Sequence, residues 1–291
     1  MARANPGIFS KTIGDLTVTA MLDGQFDGET AMVLGESDKV EAILHKTGRA
    51  VPPRFSISCF LIEHADGSKT LFDGGAGHAF GTLAGRAPLA LQALGVDPGE
   101  ITTILCSHAH PDHVVGLIHE DGSARYPNAD LIVSEAELAF WADGQDSANA
   151  VNQSLFDGAR AGLAAYRDRT RHHKDGAEAM PGIEAVALPG HTPGHTGFIL
   201  RSGSDALFIW ADIIHQPGVQ FAYPDFSIAF DVDPELAARS RRVAFDRAST
   251  DKMLVAGIHH DFPLFGHVRR DGSAFAWDAA LYTPMADGLV S

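Results

Sequence analysis

The chain has 291 residues, enough to bury a sizeable core and too many for a stapled miniprotein. Hydrophobic residues at 45%, charged at 20% and aromatic at 8% are the proportions of an ordinary globular protein, which excludes disordered and fibrous classes. Lys and Arg number 22 against 37 Asp and Glu, a net charge of −15 with no basic run to offset it, so nucleic acid and anionic membrane are disfavoured as partners and a small neutral substrate is favoured.

Only Cys59 and Cys106 are present, too few for a disulfide framework or a cysteine metal site, so any metal must use His and carboxylates. The first residues, MARANPGIFSKTIGD, lack the apolar stretch of a secretory signal, and no segment reaches the ~18 uninterrupted apolar residues of a membrane span. A cytoplasmic location is expected, or a periplasmic one if a signal was removed before residue 1. The 15 His stand out, because several lie within a few residues of one another.

In chain order, the alternation in Leu16 to Leu22 predicts a strand, as do the β-rich runs Ser56 to Glu63 and Lys69 to Asp73, with Asp66-Gly67 as a hairpin turn between the last two. A Gly-rich stretch from Asp73 to Gly81 leads into a helical pattern over Leu83 to Leu94 that Gly95 ends. Ile101 to Ser107 reads as a buried strand, and Glu135 to Trp141 as a helix with Ser134 at its N-cap. Helical spacing from Asn149 to Arg171 predicts the longest helical region. The β pattern returns at Ile183 to Leu188, Thr196 to Ser202 and Asp205 to Trp210; a helix follows Pro234, then a strand from Lys252 to Ile258 and a hairpin around Asp271-Gly272. Without a linker or charge block, residues 1–291 read as one domain. Strands and helices alternate, yet hairpins are too many for a purely parallel sheet. The reading is α+β: two mixed sheets packed together with helices outside, a four-layer αββα sandwich.

The chemistry concentrates in Ser107-His108-Ala109-His110-Pro111-Asp112-His113, directly after a strand. Residues two apart in extended chain point the same way, so His108 and His110 can approach one metal. Pro111 then turns the chain, and Asp112 and His113 can reach a second. Further strand ends carry Pro189-Gly190-His191-Thr192-Pro193-Gly194-His195, Ala211-Asp212 and Gly257-Ile258-His259-His260-Asp261-Phe262-Pro263. A dinucleotide fingerprint at Gly75-x-Gly77 fails, because Phe80 stands in place of the third Gly.

On these residues the chain resembles the metallo-β-lactamase superfold, whose His-x-His-x-Asp-His signature stands as HAHPDH. Within it, Phe80-Gly81, HPDHVVGL, PNAD, Phe140-Trp141, PGHTPGHT, Val219 to Phe221 and FPLFGHVR are similar to methyl parathion hydrolase-like enzymes. The resemblance implies that His108, His110 and His191 bind one ion, that Asp112, His113 and His259 bind the other, and that Asp212 bridges them. His259 is preferred to His260 because the family's last ligand stands three residues before the Phe of Phe-Pro. Asp73 and His195 would support ligands without binding metal. The family's Asp-Thr-Gly reads Asp73-Gly74-Gly75, so a hydroxyl hydrogen bond is expected to be missing.

Two divalent ions are implied, zinc by default, with manganese, iron or cobalt also suited to imidazole and oxygen donors. A hydroxide held between them would attack an ester, lactone or phosphotriester, with Asp112 and Asp212 as the catalytic carboxylates and Asp112 able to pass a proton to the leaving group. Phe80, Trp141, Phe156, Phe221 and Phe230 are expected to line an apolar substrate pocket. The implied activity is an arylesterase or lactonase with organophosphate turnover; an acyl-homoserine lactonase, then a glyoxalase II-type thioesterase, are the alternatives. Asp212 speaks against a true β-lactamase. A homodimer is implied by the likeness. Cys106 is read as core, and Arg239, Arg241, Arg242 and Arg247 as a solvated helix face.

Overall fold

The computed structural model describes residues 7–143 and 150–281. Its first sheet takes seven strands in chain order: β1 (Ile8–Ile13), β2 (Leu16–Asp27), β3 (Arg54–Glu63), β4 (Lys69–Phe72), β5 (Ile101–Leu105), β6 (Asp130–Ser134) and β7 (Thr170–His173). The pairs β1–β2, β2–β3 and β3–β4 are antiparallel, whereas β4–β5, β5–β6 and β6–β7 are parallel. The second sheet also runs in chain order: β8 (Glu178–Met180), β9 (Ile183–Ala187), β10 (Thr196–Ser202), β11 (Asp205–Ile209), β12 (Leu254–Ala256), β13 (Phe265–Asp271) and β14 (Ala274–Ala279). Only its β11–β12 pair is parallel. Each parallel pair needs a crossover, and helices supply it. They are α1 (Ser37–Lys46), α2 (Ala87–Ala93), α3 (Pro111–Val114), α4 (Glu135–Asp143), α5 (Ala150–Ala164), α6 (Pro217–Gln220) and α7 (Pro234–Thr250).

The period of two along each strand builds the layers. Phe60 and Ile62 of β3 face the second sheet, meeting Phe198 and Leu200 of β10, while Cys59 and Leu61 face outward to Leu91 of α2 and Tyr166. In the second sheet Ile199, Phe208 and Val255 turn outward to Ala244, Phe245 and Ala248 of α7. The result is the αββα order expected from the sequence. Burying each such side chain contributes about 1.5–3 kcal/mol, and the sheet-to-sheet seam holds Phe60, Phe72, Phe198 and Phe265 edge to face.

Several boundaries differ from the sequence reading. The helix expected from Leu83 starts at Ala87, because Leu83 to Arg86 form a loop pinned by Asp23, whose carboxylate accepts the N–H groups of Gly85 and Ala87. The region expected to be helical to Arg171 ends at Ala164, and Thr170 already pairs in β7; Asn149 lies outside the described residues. Among the described residues the longest helix is α7. Ser134 caps α4 as expected, accepting from the Glu137 N–H at 3.1 Å. No described helix is long and apolar enough to cross a membrane.

Candidate metal centre

Five strand ends open on one edge of the sandwich. β4 delivers Asp73, β5 delivers Ser107 to His113, β9 delivers His191, β11 delivers Asp212 and β12 delivers His259. Ligands in open sheets gather at such carboxyl ends. Asp73 and Ala211 hold left-handed backbone, φ 54° and 49°, a conformation non-glycine residues adopt when the surroundings impose it.

The side chains converge on Asp212 Oδ2. His259 Nε2 lies 2.9 Å away, His215 Nε2 3.2 Å, His113 and His191 Nε2 both 3.3 Å, and His108 Nε2 3.6 Å. A second knot forms where His110 Nδ1 meets His108 Nε2 at 3.0 Å and His191 Nε2 at 2.9 Å. Asp112 Oδ2, the most exposed of these groups, lies 3.7 Å from the Nε2 atoms of both His113 and His259. Donor atoms of His108, His110 and His191, and those of Asp112, His113 and His259, form groups within 4.8 Å.

The far nitrogens show which way the lone pairs face. His113 Nδ1 donates to Asp73 Oδ2 at 2.8 Å, His191 Nδ1 to Asp231 Oδ1 at 2.8 Å, and His259 Nδ1 to the Ser56 carbonyl at 2.5 Å. His108 Nδ1 stands 3.1 Å from Ser107 Oγ, whose own hydrogen goes to Asp73. With their protons spent outward, the inner nitrogens present lone pairs to one another and to a carboxylate, and such a cluster of acceptors needs a cation. His113 Nε2 and Asp212 Oδ1 are buried without a hydrogen-bond partner, and a cation bound among these donors would satisfy both. The donor set therefore fits two divalent ions.

The electrostatics agree. Burial opposes the charge on Asp212, yet His113, His259 and His108 outweigh it and hold its carboxyl well below the usual range. Burial pushes His108 and His110 down, helped by His113 and His191 respectively. Burial also works against protonation of His191, but Asp212 and Asp231 overcome it and raise its pKa to about 9. Protons and metal thus compete for these nitrogens.

The remaining sequence expectations separate. His260 turns away from the cluster, accepting from Trp210 Nε1 at 3.1 Å. His195 accepts the Asp212 N–H and takes no place among the converging nitrogens. Asp73 keeps a hydroxyl donor after all: Ser107 Oγ donates to it at 2.7 Å, so the expected loss is corrected. A side chain at Gly74 has no room, since a Cβ there would lie 2.5 Å from Leu117 Cδ2.

The apolar pocket needs larger correction. Phe221 is core, 3% exposed and stacked on Phe245 and Trp277. Trp141, 2% exposed, stands edge-on behind His110 with ring centres 5.3 Å apart, and Phe156 packs on Trp141 in turn. Phe80 is half-buried on Phe26, and half-buried Phe230 precedes Asp231, the partner of His191. A cavity of about 390 Å³ opens beside Ser56, which holds His259, and its walls are largely polar, with Gln25, Arg54, Ser56 and Gln216.

Sequence reasoning missed His215, Glu137 and Asp231. His215, three residues after Asp212, is visible as an Asp-x-x-His spacing. Glu137 is buried and accepts from Ala109 N, Trp141 Nε1, Thr192 Oγ1 and Gly194 N, tying both histidine loops to α4. No local spacing signals it, for its partners lie up to 57 residues away. The solvated arginine face is also corrected: Arg241 is 1% exposed.

Among known proteins, the chain is 29% identical over 252 residues to the N-acyl homoserine lactonase AttM of Azorhizobium caulinodans, covering 77% of this chain and 88% of that one. It is 27% identical to the uncharacterized protein YobT of Bacillus subtilis over 204 residues, 68% of this chain and 81% of that one. In structure it superposes on the hydrolase AbOPH of the beta lactamase superfamily with a TM-score of 0.89 and 30% identity, covering 97% and 100% of the two chains. It shares the fold of AidC, a dizinc quorum-quenching lactonase, at TM-score 0.89 and 24% identity over 95% and 98%. The metallo-beta-lactamase superfamily model matches residues 52–259, a span that includes every strand end feeding the cluster, so this chain belongs to that superfamily and is one of its hydrolases.

Proposed function

We propose that the protein is a metal-dependent lactonase that opens the cyclic ester of small lactones, with N-acyl homoserine lactones as the first substrates to consider. The observation that carries the reading is the convergence of His113, His191 and His259 on Asp212, each with its other nitrogen spent on an acceptor. His108, His110 and His191 would hold one ion and Asp112, His113 and His259 the other, with the Asp212 carboxylate within reach of both sets. Bound divalent ions acidify water and polarise the ester carbonyl. The chain does the rest. Asp73, Asp231 and Ser56 orient the imidazoles, the polar cavity at Gln25 and Gln216 receives the substrate's polar end, and the Asp112 carboxylate passes the proton given up by the attacking water to the leaving alkoxide.

The similarity to AttM supports lactones over the methyl parathion hydrolase-like reading. The thioesterase alternative loses its basic grip, because Arg269 and Arg270 are engaged with Asp278 and Asp246. The test is hydrolysis by the zinc-loaded protein of N-hexanoyl homoserine lactone, dihydrocoumarin, p-nitrophenyl acetate and methyl paraoxon. Lactone turnover well above ester and triester turnover is expected; a preference for methyl paraoxon would restore the organophosphate reading.

A further inference from the structure

The inward face of α7 is apolar except at two places, Ser240 and Arg241. Ala244, Phe245 and Ala248 pack against the second sheet, the Ser240 hydroxyl is satisfied by donating to Pro189 O at 2.6 Å, and at the same helical spacing stands Arg241, 1% exposed. Its neighbours Arg239, Arg242 and Arg247 instead meet Glu235, Asp225 and Glu184 at the surface. A buried guanidinium is costly unless its donors are used, and an aliphatic residue would fill this position at lower cost if packing were all it provided.

The donors are used toward the cluster. Arg241 Nε donates to the carbonyl of Ile213, the residue after Asp212, at 2.6 Å. Nη1 donates to the carbonyls of Pro224 and Phe226 at 2.7 and 3.0 Å. Nη2 lies 3.8 Å from Asp231 Oδ2. That carboxylate also accepts from Ile228 N at 3.0 Å through Oδ2 and from His191 Nδ1 at 2.8 Å through Oδ1. The same loop is sewn to the histidine strand end, Val232 N donating to His191 O and Asp233 N to Gly190 O. One side chain therefore touches the Asp212 strand end and, through Asp231, reaches the ring of His191.

We propose that Arg241 is a positioning residue for the metal centre: by clamping Ile213 and the Asp231 loop, it aims His191 Nε2 at the ion shared with His108 and His110 and so sets how tightly that ion is held. The inference rests on the reading of His191 as a ligand. Orienting partners of ligand imidazoles are worth 10–100-fold in metal affinity, and here the partner is itself held by the helix.

The experiment is zinc affinity by chelator competition on the full chain, with Arg241→Met, Arg241→Lys, Asp231→Asn and the Arg241→Met/Asp231→Asn pair, alongside melting of the zinc-free proteins. Arg241→Met and Asp231→Asn are each expected to weaken one of two zinc ions by about 10–100-fold and leave the other in place. Arg241→Lys, with charge but no fork, falls between. The double variant loses no more than the worse single one, because both act along one path. Variants that melt lower yet hold both ions at wild-type affinity would overturn the proposal, as would losses that multiply in the double variant. If Arg241→Met does not fold, Asp231→Asn and Arg241→Lys carry the same comparison. A wild-type chain that binds no zinc strikes the ligand reading instead.

Discussion

The backbone N–H of Asp212 donates to Nε2 of His195 at 3.0 Å, while Nδ1 of the same ring donates to the Leu188 carbonyl at 2.9 Å. His195 thus spans the β9 and β11 strand ends from behind the cluster. Burial, reinforced by nearby His191, pushes its pKa to about 3, so the ring is neutral and Nε2 keeps the lone pair the amide needs. His195→Ala leaves that buried N–H without an acceptor. The expected cost is about 1–3 kcal/mol, read by calorimetry on zinc-free protein, together with weaker zinc retention. Unchanged melting and zinc content would contradict this role.

Glu137 accepts four hydrogen bonds on two buried oxygens, from Ala109, Trp141, Thr192 and Gly194. Burial raises its pKa while those donors pull it down. Glu137→Gln places an amide NH₂ against N–H and O–H donors. A loss of about 2–4 kcal/mol is expected from leaving donors unpaired, visible in denaturant midpoints, with hydrolysis falling alongside because Ala109 sits between His108 and His110. An unaltered midpoint would mean the network is dispensable.

A pH dependence follows from His173 at the end of β7. Its ring meets Phe198 at 5.4 Å, both ring nitrogens lack hydrogen-bond partners, and burial lowers its pKa to about 4 against Asp175, which opposes the shift. The unfolded chain binds this proton near pH 6.5. Its stabilising contribution is therefore complete above that pH and drains away as the pH falls toward 4. His173→Leu should lose less stability between pH 7 and pH 5 than the wild type does. Parallel melting curves against pH for the two proteins would contradict the assignment.

Gly74 tests the departure from the family's Asp-Thr-Gly. A Cβ here meets Leu117 Cδ2 at 2.5 Å and Leu117 N at 2.9 Å, so Gly74→Thr is expected to destabilise by about 1–3 kcal/mol through overpacking. The hydroxyl it introduces has little to add, since Ser107 already donates to Asp73. A more stable Gly74→Thr protein would show that Leu117 yields and that the hydroxyl was wanted.

Where the sequence spoke clearly, chemistry was local. HAHPDH packs its ligands into six residues, and the strands before it and before His191, Asp212 and His259 announce themselves by β-rich runs, so both the layers and the strand-end groups were legible. What escaped depends on partners distant in the chain. Glu137, Asp231 and Arg241 look like ordinary helix and loop charges until folding brings them to Ala109, His191 and Ile213. Arg241 differs from Arg242 only in its angle around the helix, and a run of arginines hides which one faces in. Phe221 shows the converse limit, for an aromatic near a ligand segment fits a pocket or a core equally well by spacing. Helix ends were misplaced where a side chain overrode the pattern, as Asp23 does at Ala87.

The most direct test of the metal-centred account is elemental analysis of the zinc-reconstituted chain beside His110→Ala and Asp212→Ala, with N-hexanoyl homoserine lactone hydrolysis measured on the same samples. The account predicts about two zinc ions per wild-type chain, fewer in both variants, and lactone hydrolysis lost with them. A wild-type chain that takes up no metal, or that opens the lactone unimpaired after chelation, would contradict it.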